Sequence, residues 1–350
     1  SKTTLSDEHH AWRTRAALRE SNWVEVRRAI DAMSPQQKND PTWIYWSARA
    51  LREQGQGEEA KKQFERIAGQ HHFYGNLATE ELGQGFALPA KAPAAAEDEI
   101  KAAAGLPGVQ RAVAFHRLEM RLDALREWNW ATRNTDDKVL IAIAEYARRQ
   151  QLWDRAINVA ERTLNLHDFN LRFLAPYREV FAPHAKILGL EESWVLGLVR
   201  QESRFIAHAR SHAGASGLMQ LMPATARLVA RQIGMKDFAW AHVTNPEVNV
   251  QLGTTYMRQV LDGLDGHPLL ASAAYNAGPS RAQRWRGAGP LEGAIYAETI
   301  PFNETRDYVK KVFSNTMYYA ALLAGESKSL KARLGIIQPR NGTIATVKAE

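Results

Sequence analysis

A carboxylate on the apolar face of a short helix is the feature of this sequence best suited to chemistry. Trp194, Leu198 and Glu202 follow one another at intervals of four residues, so they project from one side of a helix. Packing on that side would keep the Glu202 carboxyl from water, and burial raises the pKa of a carboxyl, as a general acid near neutral pH requires. The alternative is a carboxylate at a helix end that pairs with Arg200 or Arg204.

Two later segments could line a ligand site. Small residues fill positions 214–217, where backbone can approach a ligand closely, and Gln220 and Met222 follow in an apolar stretch. An amide that donates and accepts hydrogen bonds suits a polyhydroxyl ligand. Further on, Tyr275 and Asn276 stand at a helix end that a Gly-Pro pair terminates. Each pattern alone fits an ordinary buried segment equally well.

Four motifs, taken in their order along the chain, resemble the catalytic domain of the soluble lytic transglycosylases of bacterial cell walls. They are Glu202-Ser203, Gly217 to Pro223, Tyr275 to Gly278 and Ile300 to Val309. The resemblance is close over about residues 182–325 and looser over the helical part before them. That family resembles goose-type lysozyme in fold. It cleaves the glycan of peptidoglycan without water and leaves a 1,6-anhydro ring on N-acetylmuramic acid.

The resemblance implies a mechanism with one carboxyl. Glu202 would give a proton to the β-1,4 glycosidic oxygen between N-acetylmuramic acid and N-acetylglucosamine, then remove the proton of the C6 hydroxyl that attacks C1. An internal nucleophile has a high effective concentration, so no bound water is needed. Ordinary glycosidases need a second acidic side chain about 5–9.5 Å from the first. No acidic residue lies between Ser203 and Ala226, which supports the single-acid mechanism.

Six further positions match groove residues of the family. By the resemblance they bind substrate, and they are Ser211, Gln220, Met222, Tyr275, Asn276 and Glu304. The Tyr275 hydroxyl is expected to form a hydrogen bond with Glu202. Glu304 could instead pair with Arg306 or cap the last long helix. His212, in the same loop as Ser211, is interpreted as a solvated residue. We expect no metal and no cofactor.

Composition narrows the class of protein. The chain has 350 residues, of which 45% are hydrophobic, which leaves room for two packed domains. The absence of cysteine excludes disulfides, thiol nucleophiles and thiolate zinc sites, and no apolar stretch is long enough to predict an integral membrane segment. The formal net charge of +7 favours polyanions. Peptidoglycan is an anionic polymer, and without a recognised binding motif we expect no nucleic acid partner.

The chain before about residue 180 reads as paired helices. Leu-Arg-Glu recurs at 18–20 and 51–53, a spacing of 33 residues at which helix-hairpin repeats are found. The sequence predicts an all-α fold, with a helical-hairpin superhelix and linker domain followed by a lysozyme-like (goose-type) catalytic domain. By the resemblance, residues 1–85 are the C-terminal part of the superhelical domain, which lacks its earlier repeats, 86–180 the linker domain and 181–350 the catalytic domain.

Individual elements follow from local patterns. Asn245-Pro246 predicts an N-cap and a helix over about 247–264, followed by helices at 269–276 and 306–324. Seven of the ten tryptophans precede residue 154, and we interpret them as packing between helices, with sugar stacking as the alternative. The segment 88–96, low in complexity and with two prolines, predicts a boundary. Marginal strand character appears at 336–337 and 343–347.

The sequence therefore predicts a periplasmic peptidoglycan lytic transglycosylase, a carbon-oxygen lyase, that binds glycan strands. Cell-wall synthesis or remodelling proteins are further candidate partners. The start at Ser1, without an apolar signal region, fits a cytosolic protein or a mature secreted one. Two other classes stay open. A hydrolytic goose-type lysozyme would share Glu202 but release a reducing sugar. A non-catalytic helical-repeat scaffold would explain the first half and leave Glu202, Gln220, Tyr275 and Glu304 without a purpose.

Overall fold

The computed structural model describes residues 5–339, whose regular structure is almost entirely helical. These residues form two compact units, each assembled from separate stretches of chain. Within the described residues, the first unit holds residues 5–86, 256–317 and 327–339, and the second unit holds residues 87–255 and 318–326. The all-α class predicted from the sequence is confirmed.

The helices are numbered in chain order. The first six are α1 (Asp7–Arg19), α2 (Trp23–Asp31), α3 (Pro35–Lys38), α4 (Pro41–Glu53), α5 (Gly57–Glu65) and α6 (Phe73–Glu81). The next six are α7 (Glu97–Gly105), α8 (Pro107–Arg117), α9 (Arg121–Ala131), α10 (Asp137–Arg149), α11 (Trp153–Ala160) and α12 (Phe169–Arg172). They are followed by α13 (Arg178–Ile187), α14 (Glu192–Glu202), α15 (Pro223–Gln232), a 3₁₀ helix (Trp240–Thr244), α16 (Pro246–Asp262), α17 (Pro268–Ala277), α18 (Pro279–Arg284), α19 (Gly293–Thr299), α20 (Asn303–Ala324) and α21 (Leu330–Leu334). Two short strands are β1 (Leu291–Glu292) and β2 (Ile336–Ile337).

Polar side chains set where the first helices begin. Ser6, Asn22 and Asp40 precede α1, α2 and α4, and each side-chain oxygen accepts a hydrogen bond from a backbone N–H of the first turn. Pro41 is the first residue of α4. A backbone N–H at that position has no acceptor inside the helix, so the helix loses no hydrogen bond through the proline. α1 packs on α2 and α4 packs on α5, so the hairpins predicted from the repeated Leu-Arg-Glu motif are present.

The second unit has its own apolar core. Trp128 and Ile143 are almost wholly buried in it, and the helix pairs α8–α9 and α10–α11 pack side by side around it. α11 ends at Ala160. The Arg172 Nε donates to the Ala160 carbonyl at 2.9 Å, so a side chain satisfies a carbonyl that the helix would otherwise have continued to use.

The later helices match their predicted bounds to within about one turn. α16 spans Pro246–Asp262, α17 spans Pro268–Ala277, and α20 spans Asn303–Ala324. α20 begins earlier than predicted. The Arg306 N–H donates to the Phe302 carbonyl at 2.9 Å, so helical hydrogen bonding is already present before the predicted start. Within residues 5–339, we find no helix that combines the length and apolar character needed to cross a membrane.

The tryptophans of the N-terminal half differ in how far they are buried. Trp43, Trp46 and Trp128 are buried among helices, as predicted. Trp130 is 62% exposed and lies against the guanidinium of Arg133. The packing interpretation is wrong for Trp130 because Trp128 takes the core side of α9, and a residue two positions along a helix points away from it.

The C-terminal strand and the boundary segment are short features. β1 pairs with β2 in antiparallel fashion, with Leu291 opposite Ile337, so the strand predicted at 336–337 is confirmed. The strand character predicted at 343–347 lies outside the described residues. The segment 88–96 is largely irregular and follows the division between the units. The three domains predicted at 1–85, 86–180 and 181–350 stay a prediction.

Candidate active site

Glu202 is the last residue of α14, and the residue is half-buried. The side of the helix that it shares with Trp194 and Leu198 is packed, since these two residues are 4% and 0% exposed. Arg200 and Arg204, the cations nearest to Glu202 in the sequence, each form an ion pair of 2.7 Å with the carboxylate of Glu161. Burial alone would raise the pKa of Glu161, but the two guanidiniums outweigh burial and hold that pKa below its ordinary value.

A strained turn follows Glu202 directly. Arg204 and Phe205 have φ angles of 49° and 64°, in the left-handed region that non-glycine residues seldom occupy. The Ser203 hydroxyl holds this turn by donating to the Leu218 carbonyl at 2.7 Å and accepting from the Phe205 N–H at 3.1 Å. Phe205 is fully buried against Phe181. Residues held in such conformations cluster at functional sites, and this turn fixes the helix end from which Glu202 projects.

The predicted groove residues of the second unit lie in the loop between α14 and α15. Gln220 has a φ of 44°, and its Nε2 donates to the carbonyls of Ala209 at 3.1 Å and Gly217 at 2.8 Å. Both amide hydrogens are thus used inside the loop, and a ligand can use only the side-chain oxygen of Gln220, as an acceptor. The donor role that the sequence suggested for Gln220 is wrong in this conformation.

Ser211 and Met222 stand at the surface of the same loop. The exposed Ser211 closes a turn, since its hydroxyl accepts from the Ala215 N–H at 3.0 Å and its own N–H donates to the Ala215 carbonyl at 2.9 Å. Met222 is 42% exposed at the start of α15. Met222 therefore exposes apolar surface and Ser211 closes a turn, and the substrate-binding roles predicted for both residues stay predictions.

Asn249 holds this loop together, and the sequence reasoning missed it. Its Oδ1 accepts from the Met219 N–H at 2.7 Å, and its Nδ2 donates to the carbonyls of Val243 at 2.7 Å and Ser216 at 3.2 Å, with no exposed surface. Gly217, at a φ of 85°, lies so close that an added Cβ would stand 2.1 Å from the Asn249 Nδ2. Asn249 stands between two valines of α16, and an amide in such an apolar position was the sequence signal that could have identified this residue.

In the first unit, Asn276 and Glu304 come together. The Thr305 hydroxyl donates to the Asn276 Oδ1 at 2.6 Å, and the Asn276 Nδ2 lies 3.4 Å from the Glu304 Oε1. The proposed pairing of Glu304 with Arg306 is wrong, because Arg306 donates to the Ile300 carbonyl at 2.8 Å and to the Asn303 Oδ1 at 2.5 Å. Glu304 is exposed in the first turn of α20, where the helix dipole favours a carboxylate.

Tyr275 lies beside Asn276 near the end of α17. Its ring packs on the ring of Tyr256, with centroids 5.3 Å apart, and the helix ends at Gly278, whose φ is 91°. The hydrogen bond expected from the Tyr275 hydroxyl to Glu202 stays a prediction. Within residues 5–339, no group of three or more His, Asp or Glu side chains is placed to hold a metal ion.

A cavity of about 610 Å³ adjoins Asn276 and Glu304 in the first unit. Glu8 and Trp12 of α1 form part of its lining. No local pattern in the sequence marks these two residues, because the contact joins stretches of chain that are far apart in sequence.

The first unit also contains a buried carboxylate. Glu298 is wholly buried at the end of α19 and accepts hydrogen bonds from the Arg15 Nε at 2.9 Å, the Lys310 Nζ at 2.8 Å and the Tyr74 hydroxyl. Burial alone would raise the pKa of Glu298, but the cations Lys310 and Arg15 outweigh burial and lower it. The Arg306 Nε lies 3.9 Å from the Glu298 Oε1, so Arg306 connects the buried cluster of Glu298, Arg15 and Lys310 to the helix turn that carries Glu304.

Three family models match the chain. The Transglycosylase SLT domain matches residues 179–292, the Soluble lytic transglycosylase helical domain matches residues 299–328, and the Soluble lytic murein transglycosylase L domain matches residues 102–163. The chain is 31% identical over 299 residues to the soluble lytic murein transglycosylase of Salmonella typhimurium, covering 84% of this chain and 45% of the relative.

Solved structures of lytic transglycosylases are also similar to this chain. The inactive mutant of lytic transglycosylase Slt from Pseudomonas aeruginosa superposes with a TM-score of 0.82 at 33% identity, covering 93% of this chain and 53% of that one. The chain belongs to the soluble lytic transglycosylase family. The 70 kDa soluble lytic transglycosylase of Escherichia coli gives a TM-score of 0.81 at 28% identity, covering 94% of this chain and 53% of that one.

Membership of the soluble lytic transglycosylase family confirms the predicted architecture of helical superhelix and lysozyme-like domain. The chain spans about half the length of the relatives it matches. Glu202 and five of the six predicted substrate-binding residues fall within the segment matched by the Transglycosylase SLT domain, and Glu304 falls within the segment matched by the helical domain.

Proposed function

We propose that this chain is a peptidoglycan lytic transglycosylase. It cleaves the β-1,4 bond between N-acetylmuramic acid and N-acetylglucosamine and forms 1,6-anhydro-N-acetylmuramic acid. The observation that carries the proposal is the position of Glu202: it ends the packed helix α14, immediately before a strained turn, inside the segment that matches the Transglycosylase SLT domain. The named relatives are murein transglycosylases, which supports the same substrate.

Glu202 performs both proton transfers. As the acid, it gives its proton to the glycosidic oxygen while the bond from that oxygen to C1 breaks and N-acetylglucosamine departs. As the carboxylate, it accepts the proton of the C6 hydroxyl while O6 forms a bond to C1 of the same muramic acid. The cycle returns Glu202 to its protonated form and consumes no water.

The remaining predicted residues hold the glycan. The Gln220 oxygen accepts from sugar N–H or O–H groups, and Met222 contacts the apolar face of a sugar ring. The pair formed by Asn276 and Glu304 offers an amide donor and a carboxylate acceptor side by side. Ser211 and Tyr275 are the other proposed substrate-binding residues, and the Tyr275 hydroxyl is also the proposed hydrogen-bond partner of Glu202.

The proposed place of action is the periplasm, where peptidoglycan lies. The proposed partners are glycan strands, together with cell-wall synthesis or remodelling proteins. One solved relative is a 70 kDa soluble lytic transglycosylase in complex with bulgecin A, with a TM-score of 0.80 and 26% identity. We also propose the domain division at 1–85, 86–180 and 181–350, with the superhelical part first.

Mass spectrometry of digested cell walls tests the proposed reaction. We expect muropeptides whose muramic acid is lighter by one water than the reducing-end form. A digest that contained only reducing-end muropeptides would show a hydrolytic lysozyme. An intact, folded protein that released no muropeptides would show a non-catalytic scaffold.

Removal of Asn249 tests how the loop is held. Asn249→Ala leaves the Met219 N–H buried without its partner, so we expect the free energy of unfolding to fall by about 1–3 kcal/mol and glycan cleavage to fall with it. Denaturant titration and the yield of anhydro product measure the two effects.

Asn245→Ala is the matched control, since Asn245 lies on the solvent side at the start of the same helix and accepts from the Val248 N–H at 3.2 Å. Loss of this cap should cost about 1 kcal/mol and leave cleavage by the folded protein unchanged. Equal cleavage by the two folded variants would contradict the role assigned to Asn249.

A further inference from the structure

Glu161, the residue directly after α11, contacts the chain on both sides of Glu202. Its Oε1 accepts from the Arg200 Nη2 and its Oε2 accepts from the Arg204 Nη1, each at 2.7 Å. Arg200 stands two residues before Glu202, and Arg204 stands two residues after it. A single carboxylate thus connects the last turn of α14 with the strained turn that follows it.

The Arg200 side chain holds α14 from the side away from Glu202. It is 5% exposed, and its Nε and Nη2 also donate to the Arg172 carbonyl at 3.0 Å and 2.9 Å. Its guanidinium carbon lies 4.5 Å from the centroid of the Phe173 ring. Residues two positions apart on a helix point to opposite sides, so Arg200 fixes the helix while Glu202 projects from the other side.

The Arg204 side chain holds the strained turn. Its backbone φ of 49° is costly for a residue with a Cβ and persists only where surrounding contacts enforce it. The Nη1 of Arg204 donates to the carboxylate of Glu161 and to the Oδ1 of Asn158, which lies in the last turn of α11. These contacts tie the turn to α11. A turn released from them can relax toward an ordinary φ, and that relaxation would move the Glu202 side chain.

We propose that Glu161 is a positioning residue for Glu202. Through Arg200 and Arg204 it fixes the backbone at the end of α14, so that the Glu202 carboxyl keeps the orientation that both proton transfers need. This inference rests on the proposed function. It adds to that function a residue outside the segment matched by the Transglycosylase SLT domain and inside the segment matched by the Soluble lytic murein transglycosylase L domain.

The test compares Glu161→Gln with Glu145→Gln in the full chain. Glu145 of α10 also pairs with two arginines, since its oxygens lie 2.7 Å from the Arg148 Nε and 2.9 Å from the Arg149 Nε. Glu145→Gln therefore removes the same kind of carboxylate from the same unit without changing a contact of Glu161 or Arg204. The readouts are kcat and KM for anhydro product on purified peptidoglycan.

We expect Glu161→Gln to lower kcat by about 10- to 100-fold and to leave KM within about twofold of the wild type. A displaced acid slows the chemical step, whereas the side chains that hold the glycan are unchanged. Glu145→Gln should match the wild type in both constants. Equal losses of kcat in the two variants, or a raised KM with kcat intact in Glu161→Gln, would overturn the positioning role.

Arg204→Gln tests the same contact from its other side. It should also lower kcat at constant KM, and it carries the test if Glu161→Gln does not fold. Because the two side chains act through one contact, the double variant should lose no more than about twice what the more damaging single variant loses. A loss equal to the product of the two single losses would show that Glu161 and Arg204 act independently and would contradict the proposal.

Amide hydrogen exchange separates this inference from the proposed function. The Phe205 N–H donates to the Ser203 hydroxyl at 3.1 Å, and the Ile206 N–H donates to the Ser203 carbonyl at 3.2 Å. We expect both amides to exchange about tenfold faster in Glu161→Gln and at the wild-type rate in Glu145→Gln.

Two outcomes distinguish the proposals. A wild-type protein that made no anhydro product, but whose turn responded to Glu161→Gln in this way, would refute the proposed reaction and support the hold of Glu161 on the turn. Exchange and cleavage that Glu161→Gln both left unchanged would refute the positioning role, whatever the reaction.

Discussion

Replacement of Glu202 by glutamine is expected to lower the yield of anhydro product by about 10²- to 10⁴-fold, the usual contribution of a general acid or base. The amide keeps the shape of the side chain but cannot give the proton to the glycosidic oxygen or take the one from the C6 hydroxyl. Because one group serves both steps, no second acid is available to replace it. Rates on purified peptidoglycan, followed by mass spectrometry, measure the loss.

Two controls separate chemistry from folding. Glu191→Gln alters an exposed carboxylate at the start of the same helix α14 and should keep full activity. The circular dichroism and thermal unfolding of Glu202→Gln should match the wild type, because Glu202 is only half-buried and the amide keeps the shape of the side chain. Near wild-type cleavage by Glu202→Gln would remove Glu202 from the mechanism.

The second large effect concerns stability. Glu298→Gln removes the charge that balances Arg15 and Lys310 in a fully buried cluster, and we expect the free energy of unfolding to fall by about 3–5 kcal/mol. Glu25→Gln breaks the partly exposed ion pair with Arg13 and should cost only about 0.2–1 kcal/mol. Chemical denaturation of the two variants beside the wild type measures the difference.

The loss caused by Glu298→Gln should depend on pH. The pKa of Glu298 in the folded protein lies below its ordinary value of about 4.3, so its stabilising contribution is fully present above that value. The contribution is lost as pH falls through the lowered pKa of the folded state. The stability curves of Glu298→Gln and wild type should therefore lie farthest apart at neutral pH and approach each other in acid; a constant gap down to pH 2 would contradict the role of the charge.

Local sequence patterns correctly predicted the features that depend only on short stretches of chain, such as where helices begin and end. The spacing of Trp194, Leu198 and Glu202 placed the carboxylate at the end of a packed helix, and the Asn-Pro pair placed the start of α16 within one residue. Gln220 was located in the right loop, but its hydrogen-bond role could not be predicted. That role depends on which backbone carbonyls lie near the Gln220 amide in the folded loop. Their positions depend on the left-handed φ of Gln220, which the residue type does not predict.

Long-range contacts were beyond the sequence reasoning. Glu298 is the one charged residue of the short helix α19, and its cation Arg15 stands 283 positions earlier. Glu8 lines the cavity only because α1 packs on α19. Periodicity shows which face of a helix is apolar but not which other helix covers it, so the cavity beside Glu8 and the cations around Glu298 appear only in the folded chain.

The assembly of the first unit from distant stretches has a consequence for protein synthesis. α1 to α6 leave the ribosome long before α19 and α20, so their contacts with these helices form only after more than two hundred further residues have been added. The continuous stretch 87–255 can complete most of its own unit sooner. In the interval, the surface that will receive Glu298 stays uncovered in the nascent chain.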